Sequence, residues 1–431
     1  MRRTSRKDRE MTVGNLPPHR IEVCDPQRRE PGMMVFNVRP GGPDIGRNKV
    51  GWIIGVDREG NFPFNLKFDT AAQDSCALPN GNIMFSLTGA GLIKEVTRSG
   101  QVVRQWHAAG KWQDKEPLPN SVAIDVPLTH HRVNIFPNGN LLLMSAEMRE
   151  LSDWPTADDD PNTTRETAKV VGDVIIEVTP KGEIVNKWHL LDMLDPYRLC
   201  YGSCSGYWHK LGFLDSNDWC HSNAVFYDPA DDTIMLSLRT QDCILKFFRA
   251  TGEIKWILGD PGNWKSPWSE KLLKPVGNIE WQYHQHDCSV TPSGTILCFD
   301  NGNHRALPFA EKLPAEQNYS RIVEFAVDES AMTVEQIWSF GDGDGPGEGL
   351  YACYQGGAFR LPETGNTFMT FGGVCTIDGV PTNDNRGGMC QARLLEVTPE
   401  KEVVFDLWID GSEEDPPVPL SSFRAEHIPD K

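Results

Sequence analysis

His131, His221 and His286 stand at matching places in a repeated pattern, each opening a short run that leads into a turn; Gln73 and Gln355 open two more. Arg424 takes the corresponding place near the C-terminus. The chain has eleven histidines in all, so three of them at six aligned positions argue for a shared task. Neutral imidazoles around one axis can act as bases or nucleophiles, hold a divalent cation, or stabilise charge growing on an oxygen. Glu147 and Arg149 follow one of these runs, and Asn303, His304 and Arg305 follow another. An arginine fork suits sulfate, phosphate or carboxylate. The plainer alternatives are polar groups lining a water-filled tunnel for the histidines and a surface salt bridge for Arg305. Asp218 and Asp287, close to ring histidines, could each orient an imidazole or cap a strand; the cap is favoured for Asp287.

The elements that position these residues come from an internal repeat. Its first half is a hairpin around a turn of PNGN type, at 73–87, 131–145, 221–238, 286–300 and 355–371. Asn-Gly in such a turn is expected to supply the positive φ angles of a two-residue hairpin. The second half is another hairpin that usually ends near Trp, at 91–106, 173–188, 243–256, 321–338 and 392–408, with a sixth copy at 51–68. The missing first half is assembled from 31–40 and 421–429, at opposite ends of the chain. Four-stranded units repeated radially, the last closed by both termini, predict an all-β, six-bladed β-propeller over residues 31–431. A pair of Greek-key sandwiches does not explain the in-phase repeat. The PNGN turns then lie on one face. The ring residues lie on the other, with insertions at 107–129, 146–172, 190–219, 259–283, 301–320, 340–353 and 374–390. Tyr201, Tyr207, Trp208, Trp219, Trp264 and Trp268 in these loops suit walls around a ring-shaped substrate.

Composition narrows the function classes. With 431 residues and 39% hydrophobic content, the chain can bury a large core. A net charge of −18 argues against nucleic acid or an anionic membrane as partner. The only basic cluster, Arg2, Arg3, Arg6, Lys7 and Arg9, falls in residues 1–30, read as a disordered leader. No apolar run is long enough to span a bilayer and no secretion signal is seen, which predicts a cytoplasmic protein. Eleven scattered cysteines suit reduced thiols, with a zinc knuckle at Cys200 and Cys204 the lesser reading. The repeat carries no oligomer signal, and a homodimer stays open.

The stretch DWCHSNAVFYDPADDTIMLSLRTQDCILKF with GEIKWILGDP, then QHD, PSGT and FDNGNHR, and HHRVNIFPNGNLLL upstream, resembles the arylsulfotransferase family from about residue 31 to the C-terminus. The resemblance implies a six-bladed propeller that moves a sulfuryl group between phenols without a nucleotide sulfate donor. It also implies that His221, His286 and Arg305 bind sulfate and stabilise charge on the phenol oxygens. The family's sulfated histidine follows a Phe-Gly-Gly stretch; here Phe371-Gly372-Gly373 leads to Thr376, with no histidine. The site expected on this reading is His131, His221, His286 and Arg305, with Gln73, Gln355, Asn303, Arg424 and Thr376 binding substrate. The substrate expected is small, aromatic and anionic, and no cofactor is fixed by the sequence. A second reading is a lyase or hydrolase with Mn, Zn or Ca on His131, His221 and His286. A third is a propeller used as an interaction platform.

Overall fold

In the repeated turns that carry a glycine, the glycine is the left-handed residue, and in the turn after Ser222–Asp228 Asp232 takes its place at φ 52°. In the first, Leu78 N–H reaches Asn82 O and Gly81 N–H reaches Leu78 O, with Gly81 at φ 80°; Phe136 to Asn140 repeats this around Gly139. The preceding Asn keeps a negative φ, so these are longer loops with one left-handed glycine rather than two-residue turns. The Asn after the glycine locks the turn to the third strand of its sheet. Asn82 donates to Glu95 at 2.6 Å, Asn140 to Glu177 at 2.6 Å, and Asn366 to Glu396 at 2.8 Å; Thr295 does the same to Glu324. These glutamates are buried, and each has an arginine: Arg104, Arg249, Arg29 and Arg360 respectively. A buried carboxylate requires such partners.

The computed structural model describes residues 15–42, 50–343, 349–411 and 417–430. The protein is all-β, its strands forming six sheets that meander antiparallel from an inner to an outer strand. The inner strands are Asp74–Ala77, His130–Ile135, Ser222–Asp228, His286–Val290, Gly357–Arg360 and Ala425–Ile428. The last belongs to the sheet that begins at Met33–Pro40, which pairs with Gly51–Asp57 on one side and with the C-terminal strands on the other. Apolar clusters lie between neighbouring sheets all the way round. Val174 and Ile176 pack with Met84 and Ile93, Leu236 with Met144, Val323 with Met235, Met369 with Phe299, Leu394 with Phe36, and Phe85 with Ile53. Because both faces of each sheet are covered, the strands read as continuous apolar runs such as LLLM and IMF.

The insertions and the N-terminal segment fold differently from expectation. Residues 146–172 are not a loop: Leu141–Pro155 and Arg165–Val178 stay paired almost to their tips as a long hairpin arm, with Trp154 and Val170 buried. The leader expected over residues 1–30 is corrected where it is described. His19–Cys24 pairs along Val403–Ile409 as the outermost strand of the last sheet, and Arg29 is buried against Glu396 and the ring of Phe405. The unpaired edge of that sheet and the uncompensated Glu396 explain why this segment is ordered. Residues 1–14, with the basic cluster, lie outside the described residues. All eleven cysteines are unpaired thiols, most of them buried. No helix among the described residues is long and apolar enough to cross a membrane.

Replacing Arg29 by Met would leave Glu396 buried without its cation. Urea unfolding should show a loss of about 3–5 kcal/mol; a loss below about 1 kcal/mol would mark the segment as peripheral.

Candidate active site

The inner strands of three successive sheets begin with an irregularity. Register shifts fall between His130 and Val133, between Ser222 and Ala224, and between His286 and Ser289. His131, His221 and Gln355 also have left-handed backbone, at φ 50°, 44° and 59°. Bulges and positive φ at residues other than glycine are uncommon, and here they re-aim side chains at the axis.

A cavity of about 740 Å³ opens there, lined by five of the expected residues, Gln73, His131, His221, His286 and Gln355. The rings converge: His131 and His221 are 5.0 Å apart, Tyr207 is 4.3 Å from His221, and Phe423 lies 5.8 Å from His131 and 6.1 Å from His286.

The partners of each imidazole settle its tautomer. His221 Nδ1 is 2.6 Å from Asp218 Oδ2, so it carries the proton and leaves a lone pair on Nε2. Asp218 is in turn held by the indole N–H of Trp208 at 2.6 Å. It therefore orients the imidazole. Asn301 spends its amide N–H groups on Ala352 O and Gln355 O, so its oxygen accepts from His286 Nδ1 at 2.8 Å. His286 Nε2 then accepts from the Gln355 backbone N–H at 3.3 Å. Burial, followed by Arg239, holds His286 well below the ordinary 6.5; burial and then His221, His130, His286 and Arg39 do the same for His131. Both rings are neutral at physiological pH.

The cations around them escaped the sequence reading. Arg39, Lys111, Lys210, Arg239 and Arg386 all line the cavity, and among the described residues none is paired with a carboxylate. Arg39 donates to the side chain of Gln73 and, through Nε at 3.0 Å, to the carboxamide oxygen of Gln355, whose nitrogen faces Ser421 and Ser422. Among the described residues the guanidiniums of Arg239 and Arg386 have no carboxylate partner. Lys111 donates to Leu211 O at 2.9 Å, and Lys210 lies over the Tyr207 ring at 4.8 Å. Burial, then Arg386 and Arg39, pull the Lys210 amine down to about 8. One sequence signal was present: Arg39 and Arg239 stand where the second strand of a unit exits, on the face predicted to carry the site.

Four expected residues do not line the cavity. Arg305 turns outward from a left-handed backbone, φ 39°, to Asp300, Glu280 and Tyr319 O, its guanidinium 3.8 Å from the Tyr319 ring. Asn303 donates to Cys353 O at 3.0 Å and Asn383 Oδ1 at 3.3 Å, supporting a wall of the cavity from behind. Arg424 pairs with Asp74 at 2.6 Å and with Glu426, and Phe423 takes the place predicted for it; a one-residue slip exchanges the two directions. Thr376 lies on the outer part of Thr367–Ile377, paired with Met389 and Pro381. His284 and His304 pack about Tyr201, and Asp287 pairs with Arg132. The metal reading also needs correction. Among the described residues no group of three or more His, Cys, Asp or Glu side chains could hold a metal ion. Both ring nitrogens of His286 are committed, to Asn301 and to the Gln355 N–H, and guanidiniums share the space. Such surroundings favour an anion.

Comparison with known proteins agrees with this chemistry. Residues 26–415 match the family model described as Arylsulfotransferase (ASST). An arylsulfate sulfotransferase AssT of Escherichia coli O6:H1 is 29% identical over 330 residues, covering 66% of this chain and 52% of the relative. An arylsulfate sulfotransferase AssT of Lelliottia amnigena is 31% identical over 212 residues, covering 40% of this chain and 35% of the relative. The chain thus spans about half the length, or less, of these curated relatives. Among solved structures, a Bacteroides caccae protein of unknown function matches 91% of the chain and 99% of its own length, at 12% identity and a TM-score of 0.44.

Lys210 is protonated below about pH 8 and neutral above it, so its attraction for an anion fades as pH rises through that value. The affinity for p-nitrophenyl sulfate should fall between pH 7 and 9, and Lys210→Met should flatten that dependence. An unchanged slope in the variant would remove Lys210 from the binding surface.

Proposed function

The chain belongs to the arylsulfotransferase family, and on that premise we propose that it moves the sulfuryl group of an aryl sulfate to a phenolic acceptor within the cavity around His131, His221 and His286. The observation that carries this is the group of cations without carboxylate partners beside imidazoles whose lone pairs are on Nε2. Arg39 and Arg239 hold the sulfate oxygens as charge-assisted donors. Tyr207 and Tyr354, which line the cavity, offer ring faces to the aromatic part of the substrate.

Sulfuryl transfer needs its own balance of charge. As the bond from sulfur to the donor oxygen breaks, its electron pair leaves on the donor phenolate, while the acceptor oxygen forms the new bond and loses its proton. Arginines that contact the equatorial oxygens throughout lower the barrier most where that charge is greatest. The His221 ring, held by a buried carboxylate at Nδ1, turns its Nε2 to the same centre. Neither role needs a nucleotide or an added cation.

The purified protein should transfer sulfate from p-nitrophenyl sulfate to phenol without a nucleotide donor. Arg239→Gln should raise the KM for the donor about ten-fold or more, the effect of one charged hydrogen bond. His221→Ala should lower kcat by about 100-fold or more. Transfer at the wild-type rate in His221→Ala would sink the assignment.

A further inference from the structure

The cations of the cavity exceed what one sulfate ester needs. An aryl sulfate carries a single negative charge, and Arg39 and Arg239 suffice to hold its oxygens. Lys111, Lys210 and Arg386 remain, and they come from three separate insertions, at 107–129, 190–219 and 374–390. Arg386 is exposed, whereas Arg39 and Arg239 are half-buried, so the insertions add their charges to the outer part of the cavity.

These loops are fixed by contacts of their own. Lys111 Nζ donates to Leu211 O at 2.9 Å, which joins the first loop to the second, and Asn383 Oδ1 accepts from the Tyr351 hydroxyl and the Asn303 amide, which anchors the third. Next after burial, Arg386 and Arg39 lower the Lys210 amine, so Arg386 stands close enough to Lys210 to repel it. Asp218, which acts against them, is held by His221 and Trp208. Asp384, two residues before Arg386, spends an oxygen on the Arg386 backbone N–H at 2.9 Å. Like charges gathered on fixed loops, with no carboxylate paired to them among the described residues, are relieved by a bound anion. Tyr207 sets the scale: its ring lies 4.3 Å from that of His221 and 4.8 Å from the Lys210 amine. A ligand one or two rings long therefore reaches from imidazole to amine, and a cavity of about 740 Å³ takes a ligand of that size.

Resting on the sulfuryl-transfer reading, we propose that Lys111, Lys210 and Arg386 form a second anion subsite, and that the donor is an aryl sulfate with a further anionic group, a carboxylate or a second sulfate ester, on the far side of its ring. The ester to be transferred lies at Arg39 and Arg239, and the second anion lies at the outer cations. The Arg386 fork and the two amines suit either group. A donor with one charge leaves the outer cations unrelieved, so the subsite selects dianions over neutral-tailed analogues of the same shape.

The test begins with binding. p-Sulfobenzoate and its methyl ester share a ring and a sulfonate, cannot transfer a sulfuryl group because their sulfur is bonded to carbon, and differ by one charge. Calorimetric titration at constant ionic strength should give the acid a Kd at least about ten-fold below that of the ester, the effect of one charge-assisted hydrogen bond. The gap should shrink to about three-fold or less in Arg386→Met and close in Lys111→Met/Arg386→Met. Equal affinities in the wild type, or a gap that survives in the double variant, would overturn the subsite. p-Carboxyphenyl sulfate, its methyl ester and hydroquinone bis-sulfate are then compared as donors to phenol, and the dianion with the lower KM names the second group. Transfer from all three at equal KM would overturn the dianionic donor while leaving sulfuryl transfer intact. Wild-type protein that transfers from none of them yet keeps the sulfobenzoate gap would overturn the transfer reading while leaving the subsite intact.

Discussion

Every sheet in this protein is covered on both faces by its neighbours, and that holds only if the ring closes. Closure rests on Met33–Pro40, which pairs with Gly51–Asp57 on one side and with Ala425–Ile428 and Leu420–Ser421 on the other. The apolar cluster of Phe36, Ile54, Leu394 and Leu407 then joins the first sheet to the last, with Arg29 and Glu396 buried at its edge. Without that cluster two sheets would expose an apolar face, and the axis would lose its wall.

A rigid ring makes it affordable to hold the inner strand openings in unfavourable backbone. His131, His221 and Gln355 all sit at positive φ, which costs of order 1–3 kcal/mol each and persists only where surrounding structure over-determines it. The result is a cluster of side chains that turn toward the axis from separate sheets. Long hydrogen-bonded supports lie behind them: Asp218 with Trp208 behind His221, Asn301 behind His286, and His130 with Asp173 behind His131.

The electrostatics of the cavity run against those of the chain. A protein of net charge −18 places five cations around one cavity, while Asp218, the carboxylate among the lining residues, is occupied by His221 and Trp208. Burial, followed by the neighbouring histidines for His131 and by Arg239 for His286, holds both imidazoles well below their ordinary value. Anion binding and the low pKa of these imidazoles share a cause in part: beyond burial, the charges that attract a sulfate also disfavour a proton on the rings.

The all-β class and the in-phase units were legible in the sequence because both faces of each strand are buried and most turns place a glycine at the left-handed position, so apolar runs and PNGN-type motifs recur together. The ring positions of Gln73, His131, His221, His286 and Gln355 followed from that phase, and the family from the motifs around His221 and His286. Arg305, Arg424, Asn303 and Thr376 could not be placed the same way. A left-handed residue turned Arg305 toward Asp300, and a slip of one residue exchanged Arg424 for Phe423. Arg39 and Arg239 stand some 200 residues apart and meet only because the ring brings their sheets to one axis. Sequence alone determined the repeat and the residue types at its openings, because period and polarity are local properties. Tertiary structure decided which of those side chains share a cavity, which nitrogen of each imidazole is free and which cations lack a carboxylate, because these depend on contacts between distant segments.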